Sequence, residues 1–471
     1  MSSPRRVTAP ASKSLSHRYC IGAALAAGES RLRHVLESRD TQCTRAILSA
    51  AGAAFHAEGR SDYGDAADWR VCGMADGLPR GGASDAPLSC DVHESGTTCR
   101  LLTAVLAAGK GCFRIHGAPR MHERPIAELT DALAPLGPRI RFEGKPGCPP
   151  LLLETEGLDA AAVNGLVPLG MDHSSQYFSG LLLAAPLAGA AHGGPLTVAL
   201  TGSKAVSWPY VGLTLQCLRD FGIRFIVEVL DDAECWQLLP GDAWRQLDAA
   251  EPGRLRVTVQ PGRYQPGDHS VEGDWSGASY LLGAGALGAA PVRVEGLRAD
   301  SLQGDRAMLA ILRDMGARLS IDVGAVTVEP SALRGIDVDM GACPDLVPTV
   351  AVLAAAAHGT TRIRNVAHLR IKESDRITAP AQELARVGVR VDPQEDGLVV
   401  HGLGADVLAA NVRALSPDAC FQAHNDHRIA MSLALLSLLP GVSLSLEDRI
   451  DDPRVVAKSF PHFWRLWEAL R

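Results

Sequence analysis

Five segments of the chain repeat one hydropathic figure: apolar residues at helical spacing, then a glycine, then a short alternating run. They are residues 44–58, 128–143, 213–228, 307–322 and 381–393. In the second, Ile126, Leu129, Leu133 and Leu136 mark one helical face. The glycines are Gly52, Gly137, Gly222, Gly316 and Gly388, with spacings of 85, 85, 94 and 72 residues. Glycine is the expected residue where a chain leaves a helix in the left-handed conformation. A sixth helix is predicted to close the chain, with Phe460, Phe463, Trp467 and Leu470 on one face.

A second series alternates with the first. Its helices carry Ala and Leu on nearly every side, which predicts burial. They begin near Ser16, Ser95, Ser174, Ser276, Asp345 and Asp426, all residue types that cap helix N-termini. A strand-like run follows each, at 30–36, 112–118, 195–202, 291–297, 360–366 and 442–448. The pattern predicts an α/β protein of six repeating βα units, each about 80 residues long and divided three and three. The Gly-, Pro- and charge-rich segment Gln237–Gly267 reads as an interruption between the third and fourth units, with the crossover near Glu272. Residues Gly59–Cys90 read as an insertion or long hairpin.

Composition narrows the class. With 46% hydrophobic and 21% charged residues, 471 residues predict a folded globular protein of two or more domains. Aromatics are only 5%, so small residues build the core. A net charge of −7 with no basic run argues against nucleic acid as a partner. Eleven cysteines without CxxC spacing predict reduced thiols rather than a disulfide scaffold. The longest apolar stretches, 180–191 and 346–357, fall short of the roughly 20 residues a membrane helix needs. The segment MSSPRRVTAPASKSLSHR has no apolar leader core, so a cytoplasmic location is expected.

Candidate chemistry lies at the starts of the buried helices. Free N–H groups and positive dipole ends there favour anions. Lys13 and Arg18 flank the first start, and Arg100 lies one turn inside the second. Lys372 and Arg376 bracket the acids of RIKESDR, His427 and Arg428 follow Asp426, and Lys458 precedes the last helix. The chain has 40 Arg and 6 Lys, and three of those lysines (Lys13, Lys372, Lys458) fall in these motifs. In such a composition a compact ammonium at these places points to a polyanionic ligand. The GAGALG run, Gly283–Gly288, ends an apolar helix and precedes a strand, the reverse of the dinucleotide-binding order. HNDH, His424–His427, has no further ligand cluster nearby in sequence, so no metal is expected. His93, His116 and His122 read as ordinary polar positions.

These motifs, in order along almost the whole chain, resemble the 5-enolpyruvylshikimate-3-phosphate synthase family. They are SKSLSHR (12–18), SGTTCRLL (95–102), PRMHERPI (119–126), SSQYFSGLLLAAPL (174–187), VSWPY (206–210), EGDWSGASY (272–280), PDLVPTVAVLAA (344–355), RIKESDR (370–376), NDHRIAM (425–431) and KSFPHFW (458–464). The resemblance implies two similar lobes, each of three βαβαββ units with buried parallel helices, an inside-out α/β barrel arrangement. Residues 12–271 would form the lobe that mainly holds shikimate 3-phosphate. Residues 1–11 and 272–471 would form the other. The implied reaction moves the enolpyruvyl group of phosphoenolpyruvate to the 5-hydroxyl of shikimate 3-phosphate and releases phosphate, without cofactor or metal.

The resemblance assigns Asp345 as base, Glu373 as the acid that protonates carbon 3, and Lys13 as a group touching both substrates. Shikimate 3-phosphate would meet Lys13, Ser14, Arg18, Ser174, Ser175, Gln176, Ser207, Asp345, His368 and Lys372. Phosphoenolpyruvate would meet Lys13, Gly96, Arg124, Gln176, Arg376, Arg428 and Lys458. The family is the target of glyphosate, for which Gly96 leaves room. A monomer is expected, because the family usually is one. Four positions depart from the family pattern: Ala11 replaces a common Gly, Glu94 and His368 each replace a common Asn, and Trp275 replaces a small residue. The sister transferase acting on UDP-N-acetylglucosamine is the alternative, but it needs Asn where this chain has Ser14, and a reactive loop cysteine. Cys112, the cysteine near that region, begins an alternating strand. A non-catalytic anion-binding relative is the third possibility, and the intact Asp345, Glu373 and Lys13 set argues against it.

Overall fold

A computed structural model describes residues 3–60, 65–188 and 194–471. Backbone contacts divide the chain into two units. One contains residues 13–60 and 66–271; the other contains 3–12, Asp65 and 272–471. Within each, one supersecondary figure recurs. Strand Leu88–Asp91 leads through the buried helix Gly96–Ala107 to the parallel strand Gly111–His116. An amphipathic helix, Ala127–Leu133, then leads to the antiparallel strands Arg139–Phe142 and Leu151–Thr155. In sheet order the first, second, fourth and third strands lie side by side. Four described sheets share this order, one of them with an added edge strand, Trp236–Leu238; the fifth, which holds Glu29–Leu36, Ala66–Cys72 and Ala54–Arg60, takes its edge strand, Asp268–Ser270, from later in the chain.

The repeats reflect what each helix must bury. Helices Trp275–Leu287 and Val347–Ala356 are buried at every position, matching their uniformly apolar surfaces. The outer series exposes one face, as in Arg39–Ala50. All five punctuating glycines have positive φ, from 74° to 121°, so each provides the left-handed exit its sequence predicts. Gly285 of the GAGALG run serves packing: a Cβ there would lie 2.7 Å from the Val328 carbonyl of the covering sheet.

Several expectations change. Segment Gln237–Gly267 is not an interruption, because Leu255–Val259 within it forms an inner strand bonded to both Leu196–Ala205 and Phe225–Leu230. Its Gly and Pro residues sit in the connecting turns and obscure a five-residue strand. Residues 59–90 hold only part of a hairpin: its second strand, Ala66–Cys72, pairs with Ala54–Arg60, which lies mostly before the segment, and both belong to the repeat's own sheet rather than to an insertion; residues 61–64 lie outside the described residues. The alternating run at 442–448 forms no strand. Strand geometry needs a partner ladder, and the sixth repeat offers one parallel bridge, Phe421 to Ile450. The closing helix is short, Phe463–Glu468, yet Phe460, Phe463, Trp467 and Leu470 are all buried.

The helix starts are also refined. Ser95, Ser174 and Asp426 accept hydrogen bonds from the backbone of their own helices. Helix Trp275–Leu287 is capped by Asp274 rather than Ser276. Ser16 lies inside the helix Lys13–Leu25, where its hydroxyl accepts from Leu36 N–H at 3.0 Å. Asp345 sits in the first turn of its helix and not at the cap.

Candidate active site

In the unit containing 272–471, a single guanidinium gathers three acids. Arg376 is 2% exposed and follows a short helical turn, Ala367–Ile371. Its Nη1 donates to Asp345 Oδ1 at 2.9 Å, and its Nη2 donates to Glu373 Oε2 at 3.0 Å. Its Nε and Nη2 also donate to the two oxygens of Asp426, at 2.7 and 3.1 Å. Asp426 is fully buried, accepts from Ser374 Oγ at 2.9 Å, and caps the helix carrying Arg428. Arg428 Nη2 donates to Asp345 Oδ2 at 2.7 Å, and Lys458 Nζ lies 3.2 Å from Glu373 Oε1.

Three cations therefore meet three acids. Burial alone would weaken the Arg376 proton, but Asp426, Glu373 and Asp345 outweigh it and raise its pKa. Asp345 and Glu373 each touch two cations, an arrangement that favours their ionised forms until another anion competes. An incoming phosphate or carboxylate can take up these donors and leave the acids to move protons. His368, 4% exposed, and Lys372 lie in or directly after the turn Ala367–Ile371.

In the unit containing 13–271, the cations and hydroxyls also form built contacts. Lys13 opens its helix, and Nζ donates to Asp40 Oδ2 at 3.3 Å. Asp40 stands in the first turn of a helix capped by Ser38. Arg18 is 1% exposed and donates to Thr214 Oγ1, Ser179 Oγ and the carbonyls of Ser14 and Tyr210. Four of its five N–H donors are thus committed to the fold. Burial brings its pKa down to about 10, so it stays charged. Gln176 is held at both ends: Arg100 Nη1 donates to Oε1 at 3.0 Å, and Nε2 donates to Thr97 Oγ1 at 2.9 Å. Gly180 lets this helix approach its neighbour, since a Cβ there would meet the Arg100 carbonyl at 2.8 Å. Ser174 caps the helix carrying Gln176. The Ser14, Ser175 and Ser207 hydroxyls have no side-chain partner among the described residues, and Ser207 adopts φ 56°.

Arg124 Nη1 donates to the carbonyl of Glu94 at 3.3 Å. A Cβ on Gly96 would lie 2.6 Å from Arg124 Nη2, so this glycine makes room for the guanidinium. Cys112 is buried within Gly111–His116, its thiol 3.7 Å from Ser84 Oγ. Among the departures from the family pattern, Ala11 is buried and bridges to Gly273, and Trp275 is fully buried at a helix start.

Asp345, Glu373, Arg376, Arg428 and Lys458 come together, with Lys372 beside Glu373 in sequence. Gln176 and Arg100 meet within the other unit, as do Gly96 and Arg124. Sequence reasoning misses Asp426 as a ligand of Arg376, Ser374 as its neighbour, Asp40 as the Lys13 acceptor, and Thr97 as the Gln176 acceptor. Asp426 is visible only as a cap, and Asp40 only as an acid in a first turn. His424, in the HNDH run, pairs with Glu383 at 3.0 Å. Among the described residues no His, Cys, Asp or Glu cluster is placed to hold a metal, and no helix is long and apolar enough to cross a membrane.

The sequence profile described as EPSP synthase (3-phosphoshikimate 1-carboxyvinyltransferase) matches residues 4–240 and 248–467. A 3-phosphoshikimate 1-carboxyvinyltransferase of Paraburkholderia phymatum is 37% identical over 471 residues, covering 98% of this chain and 96% of that one. One from Thiobacillus denitrificans is 39% identical, covering 97% and 95%. A solved EPSP synthase from Acinetobacter baumannii superposes with TM-score 0.70 at 26% identity, covering 98% and 94%. The repeated inside-out α/β architecture, the ordered motifs and these matches place the chain in the EPSP synthase family.

Proposed function

We propose that the protein transfers the enolpyruvyl group of phosphoenolpyruvate to the 5-hydroxyl of shikimate 3-phosphate, with Asp345 and Glu373 as its proton-transfer pair. The observation that carries this reading is the shared guanidinium: Arg376 binds Asp345 and Glu373 at 2.9 and 3.0 Å, so two acids stand on one cation. Binding of phosphoenolpyruvate brings a phosphate and a carboxylate to compete for Arg376, Arg428, Lys458 and Arg124. Each donor drawn to the substrate leaves Glu373 less stabilised as an anion, which raises its affinity for a proton. Glu373 then protonates carbon 3, the sugar oxygen bonds to carbon 2, and the hydroxyl proton goes to Asp345. In the second half a carbon 3 proton returns to Glu373, the carbon–oxygen bond to phosphate breaks, and phosphate leaves with its electron pair and takes up the proton held by Asp345, so both acids return to their starting forms. Lys13 stabilises the departing charge.

The 13–271 unit mainly serves shikimate 3-phosphate through Lys13, Ser14, Arg18, Ser174, Ser175, Gln176 and Ser207. Arg18 acts chiefly by holding the Ser14 carbonyl, with one donor left for ligand. His368 and Lys372 are further proposed contacts of shikimate 3-phosphate. Gly96 and Arg124 serve phosphoenolpyruvate. We read the enzyme as a cytoplasmic monomer. Its steps are proton transfers and carbon–oxygen exchange, which these side chains can perform.

Ser14 and the buried strand thiol of Cys112 weigh against the UDP-sugar reaction. Phosphate release with phosphoenolpyruvate is measured against each acceptor. Turnover with shikimate 3-phosphate alone is expected. Turnover with UDP-N-acetylglucosamine alone refutes the reading, and release with neither acceptor favours a non-catalytic relative.

A further inference from the structure

We infer that Gln303 is a positioning residue for Lys13, acting through Ser12; this rests on the reading of Lys13 given above. Ser12–Lys13 and Val271–Glu272 are two of the places where the chain passes between its units. Both crossings are tied, within the unit containing 272–471, by one buried amide. Gln303 is 6% exposed. Its Oε1 accepts from the Ser12 hydroxyl at 3.2 Å and from Trp275 N–H at 3.0 Å. Its Nε2 donates to Glu272 Oε1 and to the Gly273 carbonyl, both at 2.8 Å. Two donors and two acceptors are what a primary amide offers, and here all four places are filled.

The surrounding contacts make the clasp stiff. Ser12 N–H donates to the Glu272 carbonyl at 2.8 Å, and Asp274 N–H donates to the Pro10 carbonyl at 2.7 Å. Ala11 bridges to Gly273. Ser301 Oγ donates to Glu272 Oε1 at 2.5 Å and also accepts from Gln303 N–H at 3.1 Å. Ser12 thus has its backbone and its hydroxyl both fixed, one residue before the helix that Lys13 opens. The direction in which Lys13 leaves the backbone follows from the dihedral angles at that junction. A displacement near 1 Å at a catalytic group can cost about 10²-fold in rate.

Glutamate at 303 keeps the size but cannot donate. It would set a carboxylate against Glu272 and leave the Gly273 carbonyl unmet, so the clasp opens. Exchanging the partners, Gln303→Glu with Glu272→Gln, restores the amide–carboxylate bond in reverse. The enzyme is assayed with both substrates, and the affinity for shikimate 3-phosphate alone is measured by calorimetry. The expected result for Gln303→Glu is a 10- to 100-fold fall in kcat, with a loss of shikimate 3-phosphate affinity at least threefold smaller than the fall in kcat, because Lys13 is one of several contacts to that substrate. The exchange pair should regain at least tenfold. Ser12→Ala removes one hydroxyl without burying a charge and should lower kcat three- to tenfold, which keeps the test open if Gln303→Glu does not fold.

Wild-type kcat in either folded single variant overturns the inference. So does a loss of affinity in step with kcat, or an exchange pair that restores nothing. A wild-type protein that never turns over this substrate pair overturns the functional reading instead.

Discussion

Asp305 gives the most quantitative prediction. It is 1% exposed in the turn Gly304–Ala307, and one of its oxygens accepts from the Ser276 hydroxyl. Burial raises its pKa from about 3.8 to about 7, with Asp345 and Asp274 adding to the rise and Arg428 and Ser276 opposing it. A carboxyl whose folded pKa is raised holds its proton in the native state while the unfolded chain releases it. Its contribution to stability is therefore best below pH 4, falls as pH rises, and levels off above pH 7. A rise of about 3 units costs about 4 kcal/mol once both states are ionised, and about 1.5 kcal/mol at pH 5. Asp305→Asn keeps an acceptor for Ser276 and removes the titration. Its advantage over wild type should grow by about 2.5 kcal/mol between pH 5 and pH 8. For a unit of about 200 residues that corresponds to about 5–10 °C in Tm. Calorimetric scans of both proteins at pH 5, 6, 7 and 8 measure the difference directly. A Tm difference that stays constant, or shrinks with rising pH, refutes the reasoning.

Cys112→Ser should leave kcat within twofold of wild type, because the thiol lies inside a strand; activity reduced to background would move the assignment to the sister transferase.

The repeat is legible in sequence because its signals are local. Gly52, Gly137, Gly222, Gly316 and Gly388 mark helix exits by chemistry that needs no tertiary partner. The buried helices announce themselves by having no polar face. Strand Leu255–Val259 is hidden, since five residues between Gly- and Pro-rich turns carry too little periodicity to stand out. The alternating run at 442–448 misleads for the opposite reason: a strand exists by its partners, and among the described residues none pairs with it, the nearest bridge being Phe421 to Ile450. At the site, motifs identify Asp345, Glu373, Arg376, Arg428 and Lys458, but not that Arg376 joins three acids. Asp345 lies 31 residues from Arg376, and Asp426 lies 50. Gln303 is invisible in sequence because nothing local distinguishes a clasping amide from a solvated one.

In the proposed mechanism Glu373 moves the proton at carbon 3. Addition followed by elimination makes that carbon briefly a methyl group, and rotation of the methyl before elimination leaves solvent hydrogen in the enolpyruvyl methylene. Wild type and Glu373→Gln are each incubated in D2O with both substrates, in single-turnover amounts, and the methylene is read by mass spectrometry. The account predicts deuterium in the wild-type product, and exchange slowed 10²–10⁴-fold in Glu373→Gln, the usual range for loss of a positioned acid. Deuterium entering as fast in Glu373→Gln as in wild type would contradict it.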